Sequence, residues 1–255
     1  MHNLFVTDLD GTFVMDSVAV SQPDLSAYEQ LQPFGDFAIA TGRSIREIDY
    51  VIDQNQLDVS HRIGFNGALV QDKETLMFKQ TIPKEDLVRV FDYLKRESLI
   101  FDALDGEKRI GNFQHEKPAS LWNMELICQD NPFHLLENKE IYKVNVRPNK
   151  TECDAYYHQI KQAFPNLEVF KSGSSRIEIT AKNISKASGI DLIKPGYERI
   201  IAFGDSGNDV DMFQTADLSY CMSHAPKEVQ QRSSHVVKDF AAAIKHFVTH
   251  YELSL

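Results

Sequence analysis

Residues 4–12, Leu4-Phe5-Val6-Thr7-Asp8-Leu9-Asp10-Gly11-Thr12, decide how the rest of the chain is read. The apolar run Leu4-Phe5-Val6 has the length and character of a buried strand, and Asp8 and Asp10 follow where it ends. Carboxylates so placed can hold a divalent cation while one attacks an electrophile and its neighbour moves protons. The cation also weakens the repulsion between the attacking oxygen and an anionic substrate. The pairing points to phosphoryl transfer.

Outward from this stretch, short apolar runs alternate with amphipathic segments. The pattern predicts a strand over 4–7, a helix over 24–32, a strand over 37–40 and a helix over 44–55. This βαβ order implies a parallel sheet covered by helices on both faces, with ligands beyond the carboxyl ends of its strands. Asp8 and Thr41 both fall at such ends. The pattern returns with a helix over 185–193, a strand over 200–203, a helix over 209–215 and a strand over 218–221. Closing helices are expected over 226–232 and 240–251, the first with Pro226 near its start, where the missing N–H costs little.

The middle reads differently. Pro83 opens a helix with Leu87, Val90, Phe91 and Leu94 on one face, acidic residues in its first turn and basic ones in its last. Strands are expected over 99–103, 107–113, 141–146 and 176–180, with a helix over 151–164, while 115–138 shows no assignable pattern. The expected fold is an α/β, doubly wound, parallel-sheet (Rossmann-like) core made of residues 1–82 and 183–255, carrying an α+β insert over 83–182.

At 255 residues, the chain is long enough for two modest domains. Its composition, 42% hydrophobic and 25% charged, is that of an ordinary soluble protein, and no apolar run approaches the ~20 residues of a membrane span. The net charge of −10 disfavours nucleic acid as a partner. Cys128, Cys153 and Cys221 form no CxxC pair, which indicates neither a disulfide framework nor a thiolate zinc site. Met1-His2-Asn3 runs straight into a strand, without the basic and apolar regions of a secretory signal, so a cytoplasmic protein is expected, monomeric or homodimeric.

A second strand end is also rich in carboxylates: the run 200–203 leads into Gly204-Asp205-Ser206-Gly207-Asn208-Asp209. Hard cations such as Mg²⁺ take oxygen ligands and keep several waters, so two or three carboxylates and a substrate phosphate suffice. Between the two clusters, Ala40-Thr41-Gly42-Arg43 offers a hydroxyl and free N–H groups just before a helix, a place for an anion. Lys186, in Ile184-Ser185-Lys186-Ala187-Ser188-Gly189, can bring a positive charge to it.

In this order the segments resemble the motifs of the haloacid dehalogenase superfamily. Asp8-Leu9-Asp10-Gly11-Thr12 is similar to its first motif, Thr41 to its second, Lys186 to its third and the segment 204–209 to its fourth. Asn66-Gly67-Ala68 resembles the substrate-side loop of the Cof-type phosphatases, and the position and size of the insert resemble their class IIB cap. The family commonly has Gly after the third-motif Lys, where this chain has Ala187. The resemblance implies a Mg²⁺-dependent phosphomonoesterase acting on a small phosphorylated metabolite, a sugar phosphate or phosphorylated cofactor. Asp8 would be the nucleophile and Asp10 the acid and base. The Asp8 carboxylate, the Asp10 carbonyl, Asp205 and Asp209 would hold the metal; Thr41, Gly42, Lys186 and Asn208 would hold the phosphoryl oxygens, with Asn66 on the substrate side. A phosphomutase on the same core, or a non-catalytic binder of a metal or phosphate ligand, is the alternative.

Plainer readings compete at several positions. An EF-hand loop counted from Asp8 would need Gly where Phe13 stands and Glu where Ala19 stands, so that reading fails. Asp205, Asp209 and Thr41 also suit ordinary helix caps, and Asn66-Gly67 an ordinary hairpin turn. Lys186 could be a solvated helix residue, Arg43 is expected to pair with a carboxylate structurally, and Trp122 to pack in the insert's own core. His246 and His250 have metal-ligand spacing but lack the Glu of HExxH and are expected on a helix surface. Neither GxxxxGK[ST] nor GxGxxG occurs, which excludes a P-loop NTPase.

Overall fold

Leu4, Phe5 and Val6 are wholly buried on both faces of a strand, so the first strand of the chain is a central one. The computed structural model describes residues 2–15, 18–73, 75–115 and 121–252. The N-terminal segment supplies β1 (Asn3–Thr7), α1 (Gln22–Leu31), β2 (Gly35–Ala40), α2 (Ile45–Asn55), β3 (His61–Gly64), β4 (Leu69–Asp72) and β5 (Thr75–Lys79). The middle supplies α3 (Lys84–Arg96), β6 (Phe101–Leu104), β7 (Lys108–Gly111), β8 (Glu125–Cys128), β9 (Lys143–Val146), α4 (Cys153–Ala163), β10 (Leu167–Lys171) and β11 (Ile177–Ala181). The rest is α5 (Lys186–Ile193), β12 (Arg199–Gly204), α6 (Val210–Thr215), β13 (Leu218–Met222), α7 (Lys227–Gln230), β14 (His235–Val237) and α8 (Phe240–Phe247).

The first sheet runs β14-β13-β12-β1-β2-β3-β4-β5. Its pairs from β14 to β3 are parallel; β3–β4 and β4–β5 are antiparallel. Phe5, Ile39, Ile201 and Tyr220 pack on one face with residues of α1, α2 and α8. Leu4, Val6, Ala38 and Ala202 pack on the other with residues of α5 and α6. The doubly wound α/β fold is therefore present. It places the carboxyl ends of β1, β2 and β12 side by side, since β1 lies between the other two.

The second sheet, β10-β11-β9-β6-β7-β8, is antiparallel except for β7–β8. One face carries Phe101, Ala103, Val144, Val146, Ile177 and Ile179 against residues of α3 and α4. The alternating residues on the other face are polar and yet buried: Asp102, Asn145 and Glu178 stand in one cross-strand row. Buried polar rows are costly unless satisfied, so this face calls for partners.

Several short elements went unpredicted, among them β4, β5, β8, β10 and β14, which are brief or lie at sheet margins where the hydrophobic period is weak. Of the unassigned stretch 115–138, residues 116–120 lie outside those described, and 125–128 form β8. The turn after β3 shows why one glycine is required. Gly67 has φ +106°, and a Cβ there would stand 2.2 Å from the Ser185 carbonyl oxygen, just ahead of α5. Gly67→Ala is expected to cost more than about 2 kcal/mol in chemical denaturation; an unchanged midpoint would show that this close approach is not needed.

Candidate active site

The Asp8 N–H continues the β1 ladder by donating to the Phe203 carbonyl at 2.9 Å, and then the chain turns. The Leu9 carbonyl accepts from the N–H groups of Thr12, Phe13 and Val14, which curls the loop back. Gly11, at φ +89°, sits so close to Asp205 that a Cβ would be 2.6 Å from its Oδ2. The missing side chain lets the β1 loop and the β12 loop meet. The Thr12 hydroxyl donates to Asp205 Oδ1 at 3.1 Å across the same junction.

Lys186 begins α5, whose capping box is made by Ser185 and Ser188. Its ammonium is fully buried and donates to Asp8 Oδ1 and Asp209 Oδ1, both at 2.6 Å. Asp209 Oδ2 in turn accepts from the N–H groups of Asp205 and Ser206, at 2.9 and 2.8 Å. Ala187 in place of Gly thus leaves Lys186 at the centre of the cluster, and the solvated-lysine reading is wrong.

Asp8, Asp205 and Asp209 each offer an oxygen within 4.8 Å of the others. Burial, with the charges of Asp209, Asp205 and Asp10, pushes the Asp8 carboxyl well above its ordinary range against the pull of Lys186. Burial and Asp209 push Asp205 up to about 6. Burial works against the Lys186 charge, but Asp209 and Asp8 outweigh it and hold the ammonium protonated. Three carboxylates facing one ammonium leave negative charge uncompensated, and an all-oxygen donor set suits a hard divalent cation. The residues therefore fit such an ion.

Thr41 follows β2, and its N–H donates to the Ile63 carbonyl at 2.9 Å. It lines a cavity of about 320 Å³ together with Asp8, Asp10, Gly42, Asp205 and Asn208. Asn66 is fully buried, in a left-handed conformation at φ 59°. Its amide accepts from Asn208 at 3.0 Å and donates to Glu178 at 2.5 Å. It serves as hairpin turn and as link between the sheets at once.

Asp10 lies at the mouth, gripped by both arms of Arg43 at 2.7 Å each. Desolvation would raise its pKa, but the charge and hydrogen bonds of Arg43 prevail and hold it below the ordinary range. Arg43 also donates to Glu47 at 2.8 Å and stacks 3.3 Å above the Trp122 ring. The expected carboxylate pairing of Arg43 is present. Trp122 corrects an expectation: it packs with the core of the first sheet, against Arg43, and not in the insert's own cluster. Its loop reaches across because Met124 beside it contacts the Ser44 hydroxyl at 3.2 Å. His250 Nδ1 pairs with the His246 carbonyl and His246 with the Tyr220 hydroxyl, as partners on a helix surface.

Sequence reasoning missed the insert's side of the cavity: Arg109, Lys143, Arg147, Arg176 and Glu178. The signal was present in Lys143-Val144-Asn145-Val146 and Ile177-Glu178-Ile179-Thr180, where polar residues alternate with apolar ones although the strands are buried. Lys143 donates to the Gly42 carbonyl and pairs with Glu178 at 3.3 Å. Burial would raise the Glu178 pKa, but Lys143, Arg176 and Asn66 hold the carboxylate down at about 2. A folded pKa below the ordinary 4.5 means the unfolded chain binds the proton first, so this stabilisation is present above pH 4.5 and is lost as pH falls toward about 2. Glu178→Gln is expected to flatten that limb of a Tm–pH curve; parallel curves for the two proteins would contradict it.

A family model described as haloacid dehalogenase-like hydrolase matches residues 5–243. The chain is 29% identical over 256 residues to a candidate phosphatase of Streptococcus pyogenes serotype M6, covering 92% of each. It is 25% identical over 244 residues to a Bacillus subtilis 5-amino-6-(5-phospho-D-ribitylamino)uracil phosphatase, covering 89% of each. Among solved structures, a subclass IIB sugar phosphatase superposes with a TM-score of 0.81 at 22% identity, covering 97% of this chain and 99% of that one. A B. subtilis haloacid dehalogenase-like hydrolase superposes with a TM-score of 0.84 at 18% identity, over 97% and 99%.

Proposed function

The chain belongs to the haloacid dehalogenase-like hydrolases, and from that premise we propose that it is a Mg²⁺-dependent phosphomonoesterase that works through a phosphorylated Asp8. One observation carries this reading: Lys186 Nζ joins Asp8 to Asp209 at 2.6 Å each, while Asp205 closes the same cluster. The Asp8 carboxylate, the Asp10 carbonyl and Asp205 would hold the metal, with Asp209 in support. Bound there, Mg²⁺ would supply positive charge to the phosphoryl oxygens.

Asp8 is oriented for attack by the bond that Lys186 makes to one of its oxygens, which leaves the other oxygen for phosphorus. The Asp8–phosphorus bond forms as the bond to the ester oxygen breaks, and Asp10 delivers the proton to that oxygen. Water then attacks the acyl phosphate, Asp10 takes its proton, and phosphate leaves. The Arg43 fork holds Asp10 ionised, the form that the second step requires, and it must loosen for Asp10 to carry a proton in the first. Thr41, the Gly42 N–H and Asn208, which line the cavity beside Asp8, would hold the phosphoryl oxygens, a fixed arrangement of the kind phosphoryl transfer depends on. Lys186, expected among the groups that hold the phosphoryl oxygens, is fully buried and bonded to Asp8 and Asp209, and it would act through Asp8.

Residues 83–182 would be the cap, with the polar face of the second sheet closing over the leaving group. A small phosphorylated metabolite matches a cavity of about 320 Å³ and the substrate class named for the B. subtilis relative. Release of p-nitrophenol from p-nitrophenyl phosphate with Mg²⁺ tests the reading; an inert purified protein would refute it. No helix among the described residues is long and apolar enough to cross a membrane.

A further inference from the structure

Resting on the phosphomonoesterase reading, we propose that the substrate's leaving group carries an anion of its own, a carboxylate or a second phosphate, held on the insert's side of the cavity by Arg147 and Arg176. Among the described residues, Arg109, Lys143, Arg147 and Arg176 all line the cavity from the insert, against a single lining carboxylate of the insert, Glu178. Asp102 lies buried behind them.

Each of these carboxylates is shared between two cations. Asp102 takes Arg147 at 2.8 Å and Arg109 at 3.3 Å. Glu178 takes Arg176 at 3.2 Å and Lys143 at 3.3 Å. The further partner of Arg109 is Glu47, at 2.9 Å, and Glu47 is already engaged by Arg43. The wall therefore keeps more positive than negative charge after every ion pair is made. Its neighbours register the excess: burial and the guanidiniums of Arg147 and Arg109 push His115 down to about 4. Burial, with Arg176 and Arg109, pushes Lys143 down to about 8 against the pull of Glu178.

A donor in the same wall is also left without an acceptor: Arg109 Nε is buried and makes no hydrogen bond, and the buried His115 Nε2 has no partner either. Buried donors of this kind cost stability unless something supplies lone pairs. Arg147 is fixed in place by Asp102 and by the Phe113 ring, 3.8 Å beneath its guanidinium. A planar fork held rigid in this way suits an oxyanion better than the scattered hydroxyls of a neutral polyol. The opposite wall, with Asp8, Thr41 and Asn208, is committed to the reacting phosphate.

The test compares kcat/KM for glucose 6-phosphate with that for 6-phosphogluconate, and with that for glucose 1,6-bisphosphate. The first pair adds a carboxylate and the second a phosphate. At least one anionic member is expected to exceed its neutral counterpart by about tenfold or more, and the better of the two identifies the anion. Arg147→Gln and Arg176→Gln are each expected to shrink that ratio. If Arg147→Gln fails to fold, leaving Asp102 buried with one partner fewer, the wild-type panel and the more exposed Arg176→Gln decide the matter. No gain for either anionic member, in a protein that hydrolyses p-nitrophenyl phosphate, overturns this inference alone. Failure to hydrolyse p-nitrophenyl phosphate overturns the phosphomonoesterase reading and takes the inference with it.

Discussion

Asp8→Asn is expected to leave a folded protein whose turnover of p-nitrophenyl phosphate has fallen by on the order of 10⁴-fold or more. The amide keeps the shape of the carboxylate and can still face Lys186, but it cannot form the acyl phosphate. Stability is expected to move the other way. The Asp8 carboxyl is pushed well above its ordinary value, so between that value and the raised one the folded chain binds the proton more tightly than the unfolded chain. Stability then falls as pH rises through that window, and above the ordinary carboxylate range the buried Asp8 carboxyl is a cost to the metal-free fold. Replacing it by a neutral isostere removes the cost while Lys186 keeps its bond to Asp209. The Tm of metal-free Asp8→Asn is therefore expected to equal or exceed that of the parent, the familiar opposition between an active site and the stability of its fold. Residual activity above about one part in a hundred would rule out Asp8 as the nucleophile.

Chelation is expected to have nearly as large an effect. Treatment with EDTA should lower turnover by about 10³-fold or more, and excess Mg²⁺ should restore it. The basis is the same excess of negative charge, with Asp8, Asp205 and Asp209 gathered within 4.8 Å around a single lysine. A ligand that binds the folded chain alone also raises its stability, so Mg²⁺ should raise Tm in a concentration-dependent way. That rise should shrink in Asp205→Asn, which removes one carboxylate of the cluster and leaves Asp8 in place. Full activity after exhaustive chelation, or a Tm indifferent to Mg²⁺, would show that the cluster does not bind the ion that the mechanism needs.

The core was legible because its signals are local. The apolar run 4–6 followed by Asp8 marks a buried strand and its end in five consecutive residues, and 200–205 does the same in six. The capping residues Ser44 and Ser185 act on residues three positions along, so the helix starts beside Thr41 and Lys186 could be placed closely. What Lys186 does was not legible. Its neighbours Asp8 and Asp209 are 178 and 23 residues away in sequence, and nothing near it in the chain says that its ammonium is enclosed.

The insert shows the limit from the other side. Its helix 84–96 was evident from one apolar face and a charge gradient along its length. Its polar row, Asp102, Asn145 and Glu178, comes from three separate strands and exists only through their register. Trp122 is the same kind of case: an aromatic residue in the insert was expected in the insert's core, and it packs across the junction against Arg43.

The alternation of the main core strands and helices, the strand ends that carry Asp8, Thr41 and Asp205, and the chemistry of their side chains follow from the sequence by itself, because periodicity and capping act over a few residues. The buried position of Lys186, the grip of Arg43 on Asp10 and the cationic wall across the cavity from Asp8 were decided only in three dimensions. The physical reason is that charge pairing depends on distance in space, and the parallel sheet and the register of the insert bring together groups that the chain holds far apart.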